Sequence, residues 1–212
     1  MKEYHKIESV FVRDEKTHKF IDGSWRTPEF EYLRGVEWVG EEKIDGTNVR
    51  VMWDGAQVRL GGRTDNAQMY VPLLDRLRLL FPDEKMREVF PVDEHGSNPG
   101  VCLYGEGYGA RIQKGGGNYL ANEVDFVVFD VRIGEWWLRR ADVHDIAVRL
   151  GVRTAPEVFF GTLAEAVDIV RRGLKSTWGD FPAEGMVLRP MVDLFGRNGE
   201  RIITKVKTKD FA

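Results

Sequence analysis

The stretch NVRVMWDGAQVRLGG, at 48–62, limits what this chain can become more than any other. Val49, Val51 and Trp53 alternate with Asn48, Arg50 and Met52, and Asp54-Gly55 then supplies a tight turn before a second alternating run. Period-two patterning on both sides of an Asp-Gly pair specifies an antiparallel hairpin with one face buried. The same grammar recurs along the chain. VEWVGEEKI (36–44) reads as a strand, and EVDFVVFDVRIGEWWL (123–138) as a long apolar strand that turns near Gly134-Glu135 and returns. EGMVLRP and RIITKVKTK supply two more short strands.

Helical spacing occupies 71–90, interrupted at Phe81-Pro82-Asp83, where proline breaks one helix and a second can begin. Two amphipathic helices are expected at 141–150 and 162–173. The second opens with Thr162 and Glu165 at capping-box spacing, and each has glycine at or just past its end. Many antiparallel strands with a few helices make the expected class α+β. At 212 residues without repeats or low-complexity linkers, the chain is expected to form a single domain, 1–212.

Composition narrows the functional classes. A net charge of −3 provides no global basic field, so any nucleic-acid partner must be met by locally gathered cations. One cysteine, Cys102, excludes a disulfide framework, and its apolar run GVCLYGE suggests a buried structural thiol. The four histidines show no zinc-ligand spacing. The N-terminus lacks the apolar core of a signal peptide, and no run is apolar enough to span a bilayer. The expected location is cytoplasmic, without a membrane partner.

Four short groups carry chemistry. Lys43-Ile44-Asp45-Gly46 places an amine at a strand-to-turn junction; such an amine attacks phosphorus only when neutral. Taken alone, that tetrapeptide is better read as a solvated strand end. Lys205 and Lys207 fall two apart and share a strand face, where a triphosphate would relieve their repulsion. A solubilising edge strand explains the same pair. Glu106 and Glu184 each stand beside glycine at the end of an apolar strand, placed to meet a ribose hydroxyl or the water shell of Mg²⁺, or to be ordinary turn glutamates. The run GEGYGARIQKGGGNY is not a Walker A motif and reads as a flexible loop, while Arg63 in GGRTDN offers a phosphate fork.

In order, Lys43-x-Asp45-Gly46, Arg63, Glu106, Phe129-Asp130, Glu184-Gly185 and Lys205-x-Lys207 resemble the motif series of the covalent nucleotidyltransferases. These are the ATP-dependent DNA ligases, RNA ligases and mRNA capping enzymes. EWVGEEKIDGTN, GRTD, YGEGYG and FVVFDV are most similar to the nick-sealing RNA ligase 2 branch. Asp45 departs from the histidine often found there.

The resemblance implies an antiparallel-sheet nucleotidyltransferase domain, ATP-grasp-like, with flanking helices. It implies ATP and Mg²⁺ or Mn²⁺ as cofactors, and covalent AMP on Lys43. Asp45 belongs to the same catalytic motif. Glu106 is carried over as the ribose contact and Phe129 as the ring stacked on adenine. Asn48 and Arg63 match phosphate-contacting positions, Glu184 holds the metal through water, and Lys205 and Lys207 grip phosphates. Glu41 or Glu42 is implied in adenine recognition. The implied partners are RNA ends in a nicked duplex or RNA–DNA hybrid, with an accessory RNA-binding protein considered because no C-terminal OB-fold or accessory domain is expected. A minimal DNA ligase, a capping guanylyltransferase and an inactive nucleotide- or RNA-end-binding module are the competing readings. A local basic face is sought at Arg111, Lys114, Arg139 and Arg140.

Overall fold

The computed structural model describes residues 3–211. Its contacts divide them into two compact units. One, the split unit, comprises His5–Ile44 and 156–211; the other, the continuous unit, comprises Asp45–Ala155 together with Glu3 and Tyr4.

The split unit begins with strands β1 (Glu8–Ser9), β2 (Phe11–Arg13) and β3 (Phe20–Trp25), helix α1 (Pro28–Tyr32) and strand β4 (Glu37–Glu42). The continuous unit follows with β5 (Thr47–Trp53), β6 (Val58–Gly61), α2 (Val71–Leu80), α3 (Asp83–Val89), β7 (Val101–Gly109), β8 (Val124–Ile133), β9 (Trp136–Trp137), α4 (Arg140–Leu150) and β10 (Arg153–Thr154). The chain then completes the split unit with β11 (Glu157–Thr162), α5 (Leu163–Arg172), β12 (Gly185–Pro190) and β13 (Thr204–Lys207). The class is α+β, as the strand-rich patterning implies.

In the continuous unit the strands run β10-β8-β7-β5-β6, with β9 on β8, and all pairings but β10 with β8 are antiparallel. The β5–β6 hairpin forms around Asp54-Gly55, where Gly55 takes φ 95° and the Asp54 carboxylate accepts from the Ala56 and Gln57 amides. Val49, Val51 and Trp53 enter the core with Val101 and Leu103 of β7, as their period-two spacing requires. Helix α2 covers them with Leu73, Leu77 and Leu80, spaced for one helical face. Burial of each such leucine is worth about 2 kcal/mol. Pro82 separates α2 from α3. Cys102 is buried in β7, and burial pushes its thiol up to about 11, which keeps it inert.

In the split unit the order is β1-β13-β12-β4-β11, with β2–β3 as a separate hairpin. Trp38, Met186, Leu188 and Val206 point to one face, against Leu163, Ala166, Val167 and Val170 of α5. The expected capping box is present: Thr162 Oγ1 accepts from the Glu165 amide, and the Glu165 carboxylate accepts from the Thr162 amide. Helix α4 ends on Gly151 in the left-handed conformation. The two helices run 140–150 and 163–172, against expected spans of 141–150 and 162–173: Thr162 and Gly173 cap the second, and the first begins one residue earlier, at Arg140.

Candidate active site

In the split unit, alternation sorts the sheet into a packed face and a functional face. Met186 pairs with Val206 and with Glu42, so these three share the core side. Val187 pairs with Lys205 and with Glu41, and Gly185 pairs with Lys207, so the opposite face carries Glu41, Lys205 and Lys207. Lys43 continues the alternation one residue beyond β4, on the Glu41 side, and its amide is fixed by the Gly185 carbonyl at 2.9 Å.

Glu184 gathers this face. Its Oε2 accepts from Lys43 Nζ at 2.8 Å and its Oε1 from Lys207 Nζ at 2.5 Å. All three side chains are largely withdrawn from solvent, between 14 and 20% exposed. Burial alone pushes the Glu184 carboxyl up, but the Lys43 charge and the two lysine hydrogen bonds outweigh it, and the net shift is below the ordinary carboxylate value. Lys205 lacks that compensation. Burial, then the charges of Lys207, Lys43 and Arg13, bring its amine down to about 8. Gly185 is required at this junction, because it has φ 153° and a Cβ would sit 2.0 Å from the Val206 carbonyl oxygen.

The two adjacent glutamates separate by face. Glu42 is 2% exposed and accepts from Ser176 Oγ at 2.5 Å, the Thr177 amide at 2.8 Å and Thr177 Oγ1 at 2.7 Å. That carboxylate is consumed by the fold. Glu41, on the lysine face, accepts from Arg189 at 2.5 Å. The motif series does not include Arg189, whose two-residue spacing from Val187 on β12 is the one sequence signal that places it on this face.

The continuous unit holds the other motif residues. Asn48 and Glu106 are register partners on β5 and β7, and Asn48 Nδ2 donates to Glu106 Oε2 at 2.7 Å. Glu106 is buried on the face opposite Val49 and Leu103. Gly46 lies so close to β7 that a Cβ would meet the Gly107 carbonyl oxygen at 2.3 Å, which explains the glycine after Asp45. The glycine-rich run is tied to this turn: the Asp45 amide donates to Tyr119 Oη at 3.1 Å, and Gln113 Nε2 donates to the Gly46 carbonyl at 3.1 Å. Arg111 and Gln113 both take left-handed conformations to make the loop.

Arg63 is exposed, in a loop secured by buried Arg50, whose Nε donates to the Gly62 carbonyl at 2.8 Å and whose Nη2 meets Asp65 at 2.6 Å. Phe129 is half-buried on β8. Of the expected basic face, Arg140 donates to the Ala155 carbonyl and Arg139 pairs with Asp142 at 3.1 Å, whereas Arg111 and Lys114 sit on the loop.

Among the described residues no cluster of three or more acidic, histidine or cysteine side chains could cage a metal. Both Glu184 oxygens accept from lysines, so an ion that arrives largely hydrated on a phosphate, as Mg²⁺ commonly does, would meet this carboxylate through a water ligand. No helix among the described residues is long and apolar enough to cross a membrane.

This constellation coincides with a sequence match to the RNA ligase family over residues 36–207, and the chain belongs to that family. Solved structures agree on the fold. A Naegleria gruberi RNA ligase variant with ATP and Mn superposes with a TM-score of 0.66 at 18% identity, covering 87% of this chain and 52% of that one. A second variant of the same protein, with AMP and Mn, gives 0.65 at 17% identity over 87% and 53%. A third, with ATP and Mn, gives 0.66 at 17% over 98% and 56%. The chain thus spans about half the length of the solved relatives it matches. No curated protein sequence matches it.

Proposed function

We propose that this chain is an ATP-dependent RNA ligase that joins 3′-hydroxyl and 5′-phosphate ends through lysyl-AMP. The observation that carries the reading is the Lys43–Glu184–Lys207 cluster, a nucleophilic amine and a phosphate-binding amine on the two oxygens of one withdrawn carboxylate. After losing a proton, Lys43 Nζ bonds to the α-phosphorus of ATP, the bond to the bridging oxygen breaks, and pyrophosphate leaves. AMP then passes to the RNA 5′-phosphate, and the 3′-hydroxyl displaces AMP to seal the strand.

Lys205 and Lys207 hold the phosphates and offset the charge that accumulates as pyrophosphate departs. Glu106, oriented by Asn48, binds the ribose; Phe129 carries the adenine; Glu41, held by Arg189 on the face that carries the lysines, reads the base edge, whereas Glu42 lies on the opposite face with Ser176 and Thr177. Asp45 sets the turn after the nucleophile, and Arg63 contacts phosphate. Glu184 would hold Mg²⁺ or Mn²⁺ through water. Such an ion, when bound, supplies charge neutralisation on the triphosphate.

The substrate we propose is a nick in duplex RNA or an RNA–DNA hybrid, and an accessory RNA-binding protein is a fitting partner for a chain with net charge −3. Joining of labelled nicked RNA, nicked DNA and single-stranded RNA with ATP or GTP tests this. ATP-dependent sealing of an RNA nick, lost in Lys43→Ala, is expected. Sealing of DNA alone, or use of GTP alone, would overturn it.

A further inference from the structure

The strand that carries Phe129 is irregular at that residue. On β7, Tyr104 pairs with Asp130 and the next residue, Gly105, pairs with Val128, which leaves Phe129 as the extra residue of a bulge. Bulges re-aim side chains and leave the local ladder incomplete, so they need support from outside the pair. Gly105 permits the bulge, since a Cβ there would lie 2.3 Å from the Val127 carbonyl oxygen and 2.2 Å from the Phe126 ring.

The support comes from Tyr4, far outside the family-matched residues 36–207. Its contacts place it in the continuous unit, although the chain from His5 onward belongs to the other. The Tyr4 hydroxyl donates to Asp130 Oδ2 at 2.5 Å, meeting a carboxylate that is 2% exposed. Its ring stands edge-on to Phe129 with centroids 5.2 Å apart, and contacts Tyr104 at 5.1 Å and Trp137 at 5.7 Å. Tyr104 and Trp137 close the cluster at 5.2 Å. One side chain therefore touches both residues of the Phe129-Asp130 motif.

We propose that Tyr4 is a positioning residue for adenine recognition: it fixes the bulge at Asp130 and sets the Phe129 ring against which the base of ATP stacks. The proposal rests on the nucleotide reading of Phe129 given above. Ordinary packing of an N-terminal segment would stabilise the unit without regard to ligand. A positioning role acts on the base and spares the phosphates.

The test is equilibrium binding by calorimetry in a Lys43→Ala background, where no covalent step intervenes, using ATP and inorganic tripolyphosphate. Tyr4→Ala is expected to weaken ATP by about 5- to 10-fold, the scale of an edge-to-face ring contact, and to leave tripolyphosphate unchanged. Tyr4→Phe keeps the ring but removes the hydrogen bond to Asp130, so it is expected to weaken ATP by about 2- to 3-fold with tripolyphosphate unchanged. Should Tyr4→Ala fail to fold, ATP binding in Tyr4→Phe equal to the parent's would overturn the proposal. Unchanged ATP binding in Tyr4→Ala, or a parallel loss of both ligands, would overturn the proposal while leaving the nucleotide reading intact. No ATP binding by the Lys43→Ala parent would instead overturn the nucleotide reading, and this proposal with it.

Discussion

Lys43 Nζ lies 2.8 Å from Glu184 Oε2, and this one ion pair ties the motif lysine to a residue 141 positions later. Glu184→Gln keeps the shape but leaves two amines facing an uncharged group. The expected cost is about 2 kcal/mol, below the range for fully buried pairs because the cluster retains some solvent. Thermal unfolding should shift down by roughly 4–8 °C on that basis. The pH dependence has a definite sign. The native carboxyl lies below its ordinary 4.5, so the unfolded chain binds the proton more readily between the two values. The Glu184 contribution is complete above the ordinary value and is lost as pH falls through the lowered native one. Urea titrations at pH 7 and pH 3 should show the wild-type advantage over Glu184→Gln shrinking at acid pH.

Lys205 behaves in the opposite sense. Its native amine titrates at about 8 against an ordinary 10.5, so between those values the unfolded state holds a proton that the native state has released. Native stability contributed at this site therefore rises with pH across that window. Lys205→Met should be more stable than wild type at pH 7, and the difference should narrow as pH approaches 10. ATP affinity should run the other way, falling above pH 8 in wild type as the phosphate-binding charge is lost, with a flatter profile in Lys205→Met.

Glu42 is expected to be structural. Glu42→Ala strands the Ser176 hydroxyl and the Thr177 amide and hydroxyl, at a cost of about 3 kcal/mol for the group of unmet donors. Glu41→Gln on the opposite face keeps a hydrogen-bond acceptor for Arg189 and should cost less stability and more ATP affinity. Denaturant midpoints and ATP binding, measured on both variants, separate the two; equal stability losses would contradict the division by face.

The long elements were legible because burial follows periodicity. Val49, Val51 and Trp53 on one side of a hairpin, and Leu163, Ala166, Val167 and Val170 on one side of a helix, are patterns that packing can satisfy in one way. Strands β1 and β10 are two residues long, too short to carry a period. In β11 the register shifts between Glu157 and Phe159, so the adjacent Val158 and Phe159 both pack against the core, which interrupts the alternation. The motif glutamates and lysines were legible by type and order. The partners that orient them were not, because Arg189, Tyr119 and Tyr4 reach their sites through cross-strand register or through tertiary contact, and neither is written in local spacing.

Adenylylation of Lys43 is measured directly by transfer of label from ATP labelled at the α-phosphate, with the site mapped by mass spectrometry. Freshly purified protein with Mg²⁺ should retain the label after denaturation, carry AMP on the peptide containing Lys43, release it to pyrophosphate, and lose it in Lys43→Ala. Absence of label in protein shown by mass to carry no AMP beforehand, or label that persists in Lys43→Ala, would contradict the account.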